Sequence, residues 1–111
     1  MWRIVGTTLI NKANLWKSTD AWKLPGLDKF GMIENTSVNK SLKIEQNQNT
    51  KTNEVKEEAK DNDDSLQKWN RKKTDRSDYF LLKNPKTGTF LTAASNGQLT
   101  VDGNYNTNRS S

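Results

Sequence analysis

A repeated phrase, more than any single residue, limits what this chain can fold into: a tryptophan, an interval, then two apolar stretches around a tight turn. The clearest copy is Gln67-Lys68-Trp69, followed about a dozen residues later by Asp78-Tyr-Phe-Leu-Leu-Lys-Asn-Pro-Lys-Thr-Gly-Thr-Phe-Leu-Thr-Ala93. A second runs from Asp20-Ala-Trp22 into Phe30-Gly-Met-Ile-Glu-Asn-Thr-Ser-Val-Asn-Lys-Ser-Leu-Lys-Ile44, and a degenerate third opens the chain between Trp2 and Trp16. Such repetition indicates one small unit used several times, because a single unit cannot bury its own apolar face. The copies align on an apolar-x-Asn step at Leu9-Ile-Asn11, Ile33-Glu-Asn35 and Leu82-Lys-Asn84. Asn35 and Asn84 stand 49 residues apart, a usual length for four strands, but Asn11 and Asn35 only 24. The first unit is therefore expected to lack its third strand and the loops around it.

Local chemistry predicts hairpins. Residues 7–17 turn at Asn11-Lys-Ala-Asn14. Residues 30–34 and 41–45 form a second hairpin, in which Leu42 and Ile44 show the period of two of a half-buried strand. Residues 79–84 and 89–94 make the third, with Pro85 fixing φ early in the turn and Gly88 accepting positive φ at its end. Asn96-Gly97 is a two-residue hairpin turn leading into a strand at 98–101. Between these, residues 46–65 are nearly all polar, with Val55 and Ala59 the only apolar side chains. They are expected to form a solvated polar loop, with room for one short strand at 53–56. The chain thus reads as all-β: a single domain over 1–103 and a polar tail, 104–111, expected to fray.

Composition excludes several chemistries. With 31% hydrophobic and 28% charged residues, the core is thin. No apolar run reaches the length of a membrane span. There is no cysteine, so disulfides and thiolate metal sites are out, and no histidine, so the commonest general base and zinc ligand are missing. No catalytic residues, cofactor or metal are expected, and an enzyme is not. Eighteen basic against thirteen acidic side chains give a net charge of +5, a surplus that favours acidic partners.

Taken together, Met32-Ile-Glu-Asn35, Leu42-Lys-Ile44, Gln67-Lys-Trp69 and the restart at Phe80-Leu-Leu-Lys-Asn84, Gly88 and Leu91 resemble the ricin B-type lectins, β-trefoils built from three Gln-x-Trp repeats. The resemblance covers roughly residues 20–103 and implies a partial or trimmed β-trefoil of short antiparallel hairpins. It implies that Gln67, Trp69 and Trp22 are structural motif residues and that Trp2 is core. Only Gln67 fills the Gln position; Asp20 stands there in the first copy. The residues fit either a piece of a longer trefoil or a permuted and trimmed one. Met1–Val5 fits either the tail of a preceding repeat or a stand-in for a missing strand. By this resemblance the partner is a carbohydrate or glycoprotein. The compartment follows the same fork: secreted if the chain is part of a longer product, otherwise cytoplasmic.

The family's sugar site implies an Asp, a stacking aromatic and an Asn. Carried over position by position, the Asp place reads Lys43 and Thr92, the aromatic place falls near Glu57, and the Asn place is Leu66. The usual set is absent, so the sugar-binding residues stay unassigned; Trp16 is a candidate stacking platform. The densest basic cluster is Lys68, Arg71, Lys72, Lys73 and Arg76, and it leaves open a sulfated glycan or nucleic acid partner. A degenerate trefoil serving as a protein-interaction unit is the other alternative. Asp61-Asn-Asp-Asp64 resembles half a calcium loop, but Leu66 and Lys72 occupy the places of its Gly and Glu. Three Asn-x-Ser/Thr patterns begin at Asn35, Asn39 and Asn108.

Overall fold

Three asparagines set the geometry of three turns. A computed structural model describes residues 1–47, 49 and 52–103 of the chain. In it Asn11, Asn35 and Asn84 are buried. Each side-chain oxygen accepts a hydrogen bond from the backbone two residues on: Ala13 N at 3.2 Å, Ser37 N at 3.1 Å and Lys86 N at 2.9 Å. A short polar side chain that bonds its own backbone two residues ahead mimics a turn. The apolar-x-Asn step is thus a strand end followed by its turn.

The strands are β1 Trp2–Val5, β2 Thr8–Asn11, β3 Lys17–Ser18, β4 Trp22–Lys23, β5 Phe30–Gly31, β6 Glu34–Asn35, β7 Lys40–Asn47, β8 Thr52–Ala59, β9 Trp69–Lys73, β10 Phe80–Asn84, β11 Thr89–Ala93 and β12 Leu99–Asp102. One 3-10 turn, Ser65–Gln67, precedes β9. The architecture is all-β, one antiparallel sheet with neighbours in the order β3-β2-β1-β10-β11-β12-β8-β7-β6-β4, while β9 joins β10 to β5. β1 pairs with β2 and reaches β10 through Trp2 opposite Phe80, so the start of the chain is zipped to its last third. Among the described residues no helix is long and apolar enough to cross a membrane.

The core gathers one tryptophan from each copy. Trp2, Trp22 and Trp69 are buried together with Leu9, Ile33, Leu42, Leu82 and Leu91. In β10 the period of two is visible: Phe80, Leu82 and Asn84 are buried, Leu81 and Lys83 only partly. Trp69 donates its indole N–H to the Leu42 carbonyl at 3.2 Å, in the long hairpin of the second copy. Trp2 donates to the Leu91 carbonyl at 2.9 Å, in the corresponding hairpin of the last copy. Trp22 would need the same carbonyl from the first copy, whose return strand is β3, only two residues long. Among the described residues its Nε1 has no partner.

The expected polar loop over 46–65 is corrected. β7 runs on to Asn47, and β8 occupies Thr52–Ala59 along its whole length; Gln48, Thr50 and Lys51 lie outside the described residues. Apolar content is a poor guide here because β8 is recruited by backbone pairing to β7, whose Leu42 and Ile44 supply the buried side. Glu45 and Glu54 face each other across the ladder, a repulsive pair. Lys56 offsets it, with Nζ at 3.5 Å from Glu45 and 3.6 Å from Glu54. Glu45 first, and then Glu54, hold the Lys56 ammonium above the usual lysine range. The strand expected at 30–34 is also split. β5 pairs with β9, and only β6 joins the hairpin with β7. The expected frayed tail, 104–111, lies outside the described residues.

Candidate functional site

The shortened first copy leaves a pocket. After the Asn11 turn, Asn14 takes a left-handed conformation with φ of 58° and the chain returns through Leu15 and Trp16. The Trp16 ring packs edge-on between Trp2 and Trp22, both ring centroids 5.7 Å away. Such edge-to-face contacts fix a ring's orientation. With β3 so short, the next wall on this side is the flank of β8. A cavity of about 540 Å³ lies among Trp16, Asp20 and Trp22, the 54–57 stretch of β8, and the turn at Gly97-Gln98. That is ordinary size for a small-molecule site.

Its polar groups are arranged by one buried amide. Asn35 Nδ2 donates to Asp20 Oδ2 at 3.0 Å and to Glu57 Oε1 at 2.7 Å. The two carboxylates therefore come from opposite walls and converge on one nitrogen. Among the described residues neither forms an ion pair with a lysine or arginine, whereas Glu54, on the same pocket, is close to Lys56. Gln98 is held at the rim by its backbone, which donates to Asn96 Oδ1 and accepts from Ala94 N. Gly97 adopts φ of 84°, a conformation that suits glycine and turns the chain back at this wall.

Two other cavities lack this combination. One of about 560 Å³ is lined by residues such as Asn53, Leu66 and Thr87, with no aromatic ring. One of about 400 Å³, beside Arg3, Arg71 and Phe80, carries cations over aromatic faces.

The residues singled out in the sequence fall in different places. Gln67 is buried: its Oε1 accepts from Ser41 Oγ and from Asp61 N, and its Nε2 donates to the Ala59 carbonyl. It clamps the end of β8 to β7, and Trp69 is buried as well. Trp22 is buried too, yet also lines the pocket. Lys43 pairs with Asp64 at 2.9 Å, Thr92 is buried, and Leu66 follows the Asp64 cap of the 3-10 turn. These positions do not gather; Glu57 alone of the carried-over places joins the pocket. Asp64 is thereby occupied as a cap and a salt-bridge partner.

The basic cluster is dispersed. Arg71 lies with its guanidinium 4.3 Å from the Phe80 ring centroid and donates to the Pro25 carbonyl, and burial pulls its pKa down. Lys73 is 3.6 Å from Asp28, and strand alternation turns Lys72 to the face opposite Arg71 and Lys73. Of the glycosylation patterns, Asn35 has its amide nitrogen committed in the interior, Asn39 sits in an exposed turn, and Asn108 lies outside the described residues.

Sequence reasoning did not bring Asp20, Glu57 and Gln98 together with Trp16. The available signal was the short spacing between Asn11 and Asn35, which marks where a strand is missing and hence where a gap must open. No family model, curated protein or solved structure matches the chain.

Proposed function

We propose that this chain is a non-enzymatic carbohydrate-binding module of β-trefoil type, akin to the ricin B-type lectins, with its sugar site in the pocket beside Trp16. The trefoil reading is supported by the three copies of one device: a buried tryptophan and a buried turn asparagine, with the first copy trimmed. The observation that carries the function is the meeting of an aromatic ring with Asp20, Glu57 and Gln98 in one cavity. A sugar needs both: an apolar face for its C–H groups and acceptors that fix its hydroxyls. The site differs from the family's own set, since Lys43, Thr92 and Leu66 lie elsewhere. The dispersal of Arg71, Lys72 and Lys73 removes support from a sulfated-glycan or nucleic-acid reading.

The test is calorimetric titration of the full chain with a panel of neutral, amino and acidic oligosaccharides. At least one is expected to bind with a Kd between about 10 μM and 1 mM, the range of a shallow single site. Trp16→Ala should abolish the signal while the amide NMR spectrum stays dispersed. Silence from every sugar, or binding indifferent to Trp16→Ala, overturns the reading.

A further inference from the structure

Asp20 and Glu57 are two carboxylates set at a fixed spacing by one NH₂ group. Two acceptors on one amide nitrogen lie about 5 Å apart, because its two hydrogens diverge by about 120°. An ammonium, whose hydrogens diverge by a similar angle, spans the same gap. Each carboxylate has lone pairs left after its bond to Asn35. Both side chains belong to exposed residues, so those lone pairs are reachable from solvent.

Charge points the same way. The +5 of the whole chain is not felt equally in this pocket. Among the described residues Lys56 is the only cationic side chain on the wall, and it is drawn to Glu45 and Glu54, which leaves Asp20 and Glu57 without a cation there. An acidic sugar entering here meets two carboxylates; a cationic one satisfies them. Trp16 lines the same space, and indole faces are the best side-chain partners for a cation. The second, independent mark is Trp22. It is 5% exposed, lines the pocket, and has an indole N–H with no acceptor among the described residues, where Trp2 and Trp69 each have a carbonyl; a donor left over calls for a sugar hydroxyl beside the ammonium.

We infer that the ligand of this pocket is an amine-bearing sugar: a hexosamine with a free amino group, alone or within an oligosaccharide. The ammonium bridges Asp20 and Glu57, and the pyranose lies against Trp16 with Gln98 at its hydroxyls. This deepens the carbohydrate reading and rests on it.

The experiment titrates the full chain, below the pKa of the sugar amine, with a glucosamine trimer, its fully N-acetylated counterpart, and a linear polyamine of the same charge. Because the chain itself is cationic, a polycation gains nothing from its general surface, and binding reports the pocket. The glucosamine trimer is expected to bind at least about ten-fold more tightly than the acetylated one, as an ammonium shared by two carboxylates allows. Asp20→Asn with Glu57→Gln keeps acceptors for Asn35 and should bring the two trimers within about two-fold of each other. Each single variant, with dispersion of the amide spectrum as the check on folding, should lose part of the preference.

An acetylated trimer that binds equally well through Trp16 overturns the amine inference and leaves the carbohydrate reading standing. A polyamine that matches the glucosamine trimer overturns the amine-sugar inference, since charge alone would account for the binding, and the wider sugar panel with Trp16→Ala then decides the carbohydrate reading. If neither trimer binds, the amine inference is overturned, and the wider sugar panel then decides the carbohydrate reading by itself.

Discussion

Trp2, Trp22 and Trp69 occupy equivalent places but are not equivalent residues. Trp69 is fully buried, so Trp69→Ala should cost about 3–5 kcal/mol, measured by urea unfolding. The N–H groups separate the three more finely. Replacing each with Phe removes a similar part of the ring, but at Trp2 and Trp69 it also leaves the Leu91 or Leu42 carbonyl without its donor. Trp22 gives up an N–H that had no partner. Trp22→Phe is therefore expected to be less destabilising than Trp69→Phe by about 1 kcal/mol, the net worth of one buried hydrogen bond. Equal losses in matched urea melts would mean that Trp22 has an acceptor in solution.

At the scale of elements, two links can be weighed. Gly88 ends the turn between β10 and β11 with φ of 70°, and a Cβ added there meets nothing within 4 Å. Gly88→Ala should then cost about 1 kcal/mol from backbone strain alone, and Gly88→Asn less, since Asn tolerates this conformation. Thermal melts of the two variants check the order. The other link is Lys43 on β7 with Asp64 at the cap of the 3-10 turn. The hydrogen bond from Lys43 holds the Asp64 carboxyl below its ordinary pKa of 3.8, and the same contact raises Lys43. Because the folded pKa is the lower one, the native state binds fewer protons there, and stability rises with pH through that window. The contribution is complete above pH 3.8 and is lost as pH falls through the lowered value. Both side chains are partly solvated, so it amounts to at most about 1 kcal/mol. Asp64→Asn should be less stable than the parent at pH 6, and the gap should close at the acid end of a pH series of urea melts. A gap independent of pH would assign the effect to the cap hydrogen bond alone.

For the molecule as a whole, one core is assembled from strands spread over the full chain, with Trp2 of β1 packed with Phe80 and Leu91 of β10 and β11. Among the described residues no hairpin of this sheet closes a core by itself; even the long ladder of β7 and β8 adds only Leu42, Ile44 and Val55 to the shared one. Tryptophan fluorescence and far-ultraviolet circular dichroism should therefore trace one coincident urea transition, as expected of a small two-state domain. Folding should take milliseconds to seconds, because the pairings that close the sheet, β1 with β10, β5 with β9 and β8 with β12, join segments far apart in sequence. A far-ultraviolet transition that precedes the fluorescence one would show that the β7–β8 ladder melts separately from the tryptophan core.

The sequence by itself determined what is local and periodic. The three turns are written in Asn11, Asn35 and Asn84, the β10–β11 and β11–β12 hairpins in Gly88 and Asn96-Gly97, and the core in the spacing of its tryptophans. Those features depend on a residue's own backbone preference or on alternation along one strand. The tertiary structure decided the rest. β8 is a strand because β7 pairs with it, although all its residues but Val55 and Ala59 are polar. Phe30 and Gly31 leave the hairpin they adjoin because β9 is available to them. The pocket exists because a short first copy sets Trp16 and Asp20 against Glu57 and Gln98, residues up to 82 positions apart in the chain. Pairing partners and convergent side chains are long-range facts, fixed by how closed strands share one core, and no local pattern in a single sequence encodes them.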